Sequence, residues 1–173
     1  MIVLFKVELH IRLLKNYIVI FTFLSIFFIT EAYSQDKNYV ALSSAVFDIL
    51  QQGNPSLEGR VEFRFNKMDS KVKPFSGLMA NTDGAVYLYS GFYIDIPITS
   101  FLYISPSFAP GLYHKCNSKN LNFALEFRSQ IEIGIRLENN IRVGASFNHI
   151  SNASLGKINP GVESLAITYY FPL

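Results

Sequence analysis

Leu57-Glu58-Gly59-Arg60-Val61-Glu62-Phe63-Arg64-Phe65 alternates, residue by residue, between a charge and a side chain that carries none. A period of two marks a strand, because successive side chains leave opposite faces of it. The charges also alternate in sign, so Glu58, Arg60, Glu62 and Arg64 can pair with one another on their own face. The pattern returns between Phe123 and Leu137, where Leu125, Phe127, Ser129, Ile131, Ile133, Ile135 and Leu137 oppose Glu126, Arg128, Gln130, Glu132, Gly134 and Arg136.

Six further β-prone stretches flank these two. Tyr39 to Leu50 ends at the turn cluster Gly53-Asn54-Pro55, and Lys73 to Ala80 ends at Asn81-Thr82-Asp83-Gly84, whose Asp-Gly is a strong turn signal. Ala85 to Ile96 sets Val86, Leu88, Phe92, Ile94 and Ile96 against Tyr87, Tyr89, Gly91, Tyr93 and Asp95. Phe101 to Tyr113 contains Pro106 and Pro110, which cannot donate to a ladder and predict a bulge or irregularity there. The polar loop His114 to Asn122 and the turn Glu138-Asn139-Asn140 frame the 123–137 strand, and Ile141 to Ser151 and Glu163 to Phe171 form the closing hairpin. The count is eight.

Half the residues are apolar and only 16% are charged, which decides which face turns outward. An eight-stranded barrel has an interior wide enough for side chains but not for a water channel. The set Glu58, Arg60, Glu62, Arg64, Glu126, Arg128, Glu132 and Arg136 suits that interior as a salt-bridge network. The apolar set is aromatic-rich and almost uncharged, as a wall against lipid requires. The expectation is an all-β chain forming an eight-stranded antiparallel transmembrane barrel, closed because lipid satisfies no free backbone group. A soluble lipocalin-like binder, with the apolar face inward, is the competing arrangement.

The first thirty-four residues read differently. Lys6, Arg12 and Lys15 lead into the apolar run 17–30, followed by the small-x-small site Ala32-Tyr33-Ser34, so residues 1–34 are expected to be a cleaved signal peptide and 35–173 the barrel. A single membrane anchor is the alternative for the same run. Cys116 is the lone cysteine, which excludes an internal disulfide, and the net charge of +2 gives no basis for a nucleic-acid partner. With an exported chain and strands near the ~9–11 residues that a tilted membrane strand needs, the expected address is the outer membrane of a Gram-negative cell. The turns after the second, fourth and sixth strands then face the periplasm, and the loops near Gly53, Asp83, Asn117 and Gly156 face outside.

Chemistry gathers in the closing hairpin. His149 and Ser151 share a face with Ile141, Val143, Ala145 and Phe147, and Glu163 shares one with Leu165, Ile167, Tyr169 and Phe171. A base, a hydroxyl nucleophile and an orienting carboxylate thus extend the apolar face at the extracellular rim. His149 and Ser151 are two residues apart, about 7 Å between Cα atoms by strand rise. Asn152, or the backbone N–H groups of Ala153 and Ser154, can hold an oxyanion. A reactive hydroxyl facing acyl chains makes sense if the substrate is an acyl ester of a lipid. His114 and Cys116 supply two metal-ligand types without a third, and no Gly-x-Ser-x-Gly, phosphate loop or His-Glu-x-x-His is present.

The stretch His149-Ile150-Ser151-Asn152-Ala153, then Asn159-Pro160-Gly161 and Glu163, resembles the signature of the PagL lipid A 3-O-deacylase family in both spacings, two from His149 to Ser151 and fourteen from His149 to Glu163. Segments 105–113 and 125–134 resemble it as well. The likeness covers about the last hundred residues. It implies an outer-membrane barrel that removes the 3-position acyl chain of lipid A with Ser151 as nucleophile, His149 as base, Glu163 as its partner and Asn152 at the oxyanion site, without a metal or other cofactor. It implies lipopolysaccharide as substrate, outer-membrane lipid around the wall and the barrel-assembly machinery as a partner in insertion, and leaves a homodimer open. Two positions depart from the family pattern: Ser154 stands where some members have glycine, and the chain ends Phe171-Pro172-Leu173 instead of on an aromatic residue. A non-catalytic structural or adhesive barrel is the alternative on the same scaffold.

Overall fold

Among the described residues every long strand finds two antiparallel neighbours, and this closes the sheet. A computed structural model describes residues 37–50, 55–66 and 70–173; the expected signal peptide, and parts of the turns near Gly53 and Lys67, lie outside the described residues. The strands are β1 (Tyr39–Phe47), β2 (Ser56–Arg64), β3 (Val72–Asn81), β4 (Val86–Ile94), β5 (Ile96–Pro97), β6 (Leu102–His114), β7 (Leu125–Arg136), β8 (Arg142–Ser151) and β9 (Val162–Pro172). The two-residue β5 continues β4 beyond Asp95, so nine segments make eight staves. Neighbours in sequence pair as hairpins, β4 pairs with β6, and β1 pairs with β9. Among the described residues no long strand leaves an open sheet edge for water or lipid to satisfy.

Parity runs through the barrel as the alternation predicts. In β2, Glu58, Arg60, Glu62 and Arg64 are buried while Leu57 and Val61 are exposed. In β7, Glu126, Arg128, Gln130 and Glu132 are buried while Ile131, Ile133 and Ile135 are exposed. The apolar set is therefore outside, and the lipocalin-like arrangement is overturned.

Tyrosines complete the interior. Arg128 Nη2 lies 2.7 Å from Glu62 Oε1, and the Tyr89 hydroxyl donates to the same oxygen at 2.8 Å. The Arg64 guanidinium sits 4.8 Å from the Tyr93 ring centre and 4.7 Å from that of Tyr170, and Nε lies 3.2 Å from Glu62. Tyr103 donates to Glu132 at 3.0 Å, Arg60 pairs with Glu58, and Arg142 pairs with Asp95 at 2.7 Å. Rings stacked on guanidinium planes and phenols donating to carboxylates replace the water that these charges lose. Glu126 is a correction to the expected network: it is buried with the others, but its carboxylate joins none of these pairs.

At the prolines the structure has the irregularity expected there, as lapses in pairing instead of a bulge. β6 pairs with β7 without a break from Leu102↔Ile135 to Leu112↔Leu125. Against β4 and β5 the register is constant too, from Tyr89↔Gly111 through Phe92↔Phe108 to Ile96↔Ile104, but the pairing lapses around Pro110 and again around Pro106. Four residues apart, both prolines turn their missing N–H toward the β4 side, so the ladder loses bonds without gaining a residue. No bulge forms, and the lapse near Pro106 separates β5 from β4.

Candidate active site

β8 ends and β9 begins at one rim, and a ten-residue connection, 152–161, joins them. Their ladder places His149 directly across from Glu163. The imidazole Nδ1 lies 2.9 Å from Glu163 Oε1, on the outer wall. A carboxylate only accepts, so Nδ1 carries the proton and Nε2 is left as the basic nitrogen. The histidine side chain is 43% exposed and the glutamate 16%, so the imidazole is open to the outside of the wall while the carboxylate is largely covered.

Ser151 follows His149 on the same outward face and is half-buried. The structure joins the His149 imidazole to the Glu163 carboxylate by contact, and no hydrogen bond links Ser151 to the imidazole. Across the β7–β8 ladder Ser151 faces Phe127, whose ring stacks on Phe108 with centroids 5.9 Å apart. Below lie Ile131, Phe147 and Leu165, all exposed. The hydroxyl thus stands at the top of an apolar wall.

The connection after Ser151 is tightly built. Leu155 N–H donates to Asn152 O at 2.9 Å, and Ala153 and Ser154 have φ of 50° and 64°. Two positive φ values under one closing bond make a type I′ turn, which leaves the N–H groups of Ala153 and Ser154 outside the turn's own bond. Asn152 differs from its expected use as a side-chain oxyanion donor. Its parity turns it inward, it is fully buried, and both protons of its amide are engaged, by Leu121 O and Ile158 O, each at 2.9 Å. Asn152 N–H donates to Asn159 Oδ1 at 3.0 Å, so Asn159 clamps the connection from the far side. His114 ends β6 and Cys116 lies in the loop after it, and among the described residues no three His, Cys, Asp or Glu side chains gather as for a metal.

Two features were hidden in the sequence. Phe127 is separated from Ser151 by a loop and most of two strands, and only the register makes them neighbours. Gly161 has φ of +58°, and a Cβ on it would stand 2.7 Å from His149 Cε1. The Asn-Pro-Gly triplet was visible as a turn, but nothing in it pointed at the imidazole.

The family model described as lipid A 3-O-deacylase (PagL) matches residues 45–172. The chain belongs to the PagL lipid A 3-O-deacylase family. Lipid A deacylase PagL of Bordetella bronchiseptica (strain RB50) is 31% identical over 80 residues, which are 46% of this chain and 40% of that relative. The crystal structure of the outer membrane enzyme PagL superposes with a TM-score of 0.62 at 21% identity, over 78% of this chain and 99% of that one. Neisserial surface protein A superposes at 0.54 with 6% identity, over 79% of this chain and 96% of that one. At such identities the structural matches establish the fold, a closed eight-stranded barrel of the outer-membrane type. The family match spans β2 to β9 whole and thus includes the His149–Glu163 pair.

Proposed function

We propose that this PagL-family barrel is an outer-membrane serine esterase that removes the ester-linked 3-position acyl chain of lipid A. The observation that carries the reading is the His149 Nδ1 contact to Glu163 Oε1 at 2.9 Å on the apolar outer wall, with Ser151 two residues along the same face. A soluble hydrolase has no reason to build its base on a wall of exposed Phe, Ile and Leu. An enzyme whose substrate is itself a membrane lipid does.

Ser151 Oγ attacks the ester carbonyl while His149 Nε2 takes its proton, and Glu163 holds the imidazolium that forms. The negative charge on the tetrahedral carbonyl oxygen is met by the N–H groups of Ala153 and Ser154, which the turn's own bond leaves unused. Collapse breaks the bond to the sugar oxygen, which leaves with the proton from His149, and an acyl-Ser151 ester remains. Water, deprotonated by His149, releases the fatty acid and restores the hydroxyl. The acyl chain lies down the wall past Phe127 and Ile131, in the lipid it already occupies, so binding requires little desolvation.

Mass spectrometry of lipid A from cells expressing the protein tests the reading. Loss of one hydroxyacyl chain with the wild type and none with Ser151→Ala is the expected result. Identical lipid A from both would leave a non-catalytic barrel.

A further inference from the structure

We infer that Gly161 is a positioning residue for His149: the absence of a side chain there is the seat that lets the imidazole lean toward Ser151 while holding Glu163. This inference rests on the esterase reading above.

The last pair of β8 and β9 is Ile150↔Val162, and one step further in the same register Gly161 is level with Ser151. His149 is tied by Nδ1 to Glu163, its direct neighbour on β9. A ring held at that point and leaning toward the rim must pass over residue 161. It does so: a Cβ at Gly161 would lie 2.7 Å from Cε1, 3.4 Å from Nε2 and 3.7 Å from Nδ1. The ring occupies the volume that any other residue's side chain would fill. Elsewhere in the barrel, glycines make room for other groups, Gly77 for the Tyr89 ring and Gly134 for that of Tyr103, both in the interior. Among the described glycines, Gly161 alone makes room for the imidazole of the outer wall.

What yields in Gly161→Ala decides where the loss appears. The nearest atom is at the far end of a flexible side chain, so the barrel can absorb a methyl group by swinging the imidazole aside. Folding is then little disturbed, and the base is misplaced relative to the hydroxyl. The φ of +58° adds a separate left-handed backbone penalty. Gly84 supplies the control for that part: it has φ of +87°, and a Cβ there meets only Cys116, at 3.2 and 3.8 Å.

The experiment uses the full chain refolded in detergent micelles, with lipid A as substrate and a serine-reactive phosphonate as a probe of nucleophile activation. A misplacement near 1 Å costs on the order of 100-fold in rate. Gly161→Ala is therefore expected to lower kcat about 100-fold with KM within about twofold, and to slow phosphonate labelling to match. Gly84→Ala should keep kcat within about twofold while losing similar resistance to urea. In a His149→Ala background, adding Gly161→Ala should not slow labelling further, since a seat without an occupant has no effect. The Nδ1–H proton signal of His149 in NMR should be lost in Gly161→Ala and kept in Gly84→Ala. Wild-type kcat in Gly161→Ala, or an equal slowing in the His149→Ala background, would overturn the inference. If the wild type neither hydrolyses nor labels, the esterase reading falls, and the NMR signal alone then decides whether Gly161 seats the ring.

Discussion

Glu62 and Arg128 meet at 2.7 Å in the middle of the barrel although sixty-six residues separate them. β2 and β7 lie on opposite walls of the ring, so this contact crosses the interior and braces it. Both side chains are almost wholly buried, and Tyr89 bonds to each. Removing Arg128 takes from Glu62 its shortest ion pair and leaves it only Arg64, at 3.2 Å, and the Tyr89 hydroxyl. Arg128→Ala should therefore lower stability by about 3–5 kcal/mol, measured as the urea midpoint of the micelle-refolded barrel. The paired variant Glu62→Gln with Arg128→Met should recover part of that loss.

Sidedness makes a prediction about depth. Ile133 is exposed well down the wall and Phe127 is near the rim. A lysine at the bilayer midplane costs about 2–4 kcal/mol and one near the interface about 0–1. Ile133→Lys should therefore lose substantially more folding free energy in liposomes than Phe127→Lys. Equal losses would contradict the lipid-facing assignment.

Two serines neighbour His149 on the outer face: Ser151 along its own strand and Ser129 directly across the β7–β8 ladder. The imidazole leans the other way, over β9 and away from Ser129. Ser151→Ala should abolish deacylation, at least about a thousandfold, and Ser129→Ala should retain activity within about threefold. Loss of activity in Ser129→Ala with retention in Ser151→Ala would reassign the nucleophile.

The carboxylate facing His149 sets which imidazole nitrogen is basic. Glu163→Gln offers an amide in its place and can stabilise the wrong tautomer, so kcat should fall by roughly 10³–10⁴ while the folded fraction is unchanged. Steady-state release of fatty acid and the heat-modified mobility of the barrel on gels read the two effects separately.

Asn152 ties the connection to its neighbours through both protons of its amide. Asn152→Ala leaves the carbonyls of Leu121 and Ile158 without their donor, a loss of about 1–3 kcal/mol spread over two loops. The turn at Ala153 and Ser154 loosens, and kcat should drop roughly 10–100-fold with KM nearly constant. A wild-type kcat would show that the turn holds its shape without the amide.

Period-two alternation in 57–65 and 123–137 determined by itself that these segments are strands, which residues face each other's side, and, with the sparse charge, that the apolar side faces lipid. It also put His149, Ser151 and Glu163 on one face, because parity is a property of the local backbone and needs no partner. Other outcomes depend on register between segments distant in the chain, which no local pattern encodes. Only the closed sheet decided that Arg128 finds Glu62 while the Glu126 carboxylate finds no partner among the described residues, that Pro106 and Pro110 thin the ladder without shifting it, and that Phe127 stands across from Ser151. The inward turn of the Asn152 amide and the room at Gly161 belong to the same class. Each arises where two strands or loops come within contact distance, and that distance is set by closure of the whole ring, so it is absent from any single stretch of the chain.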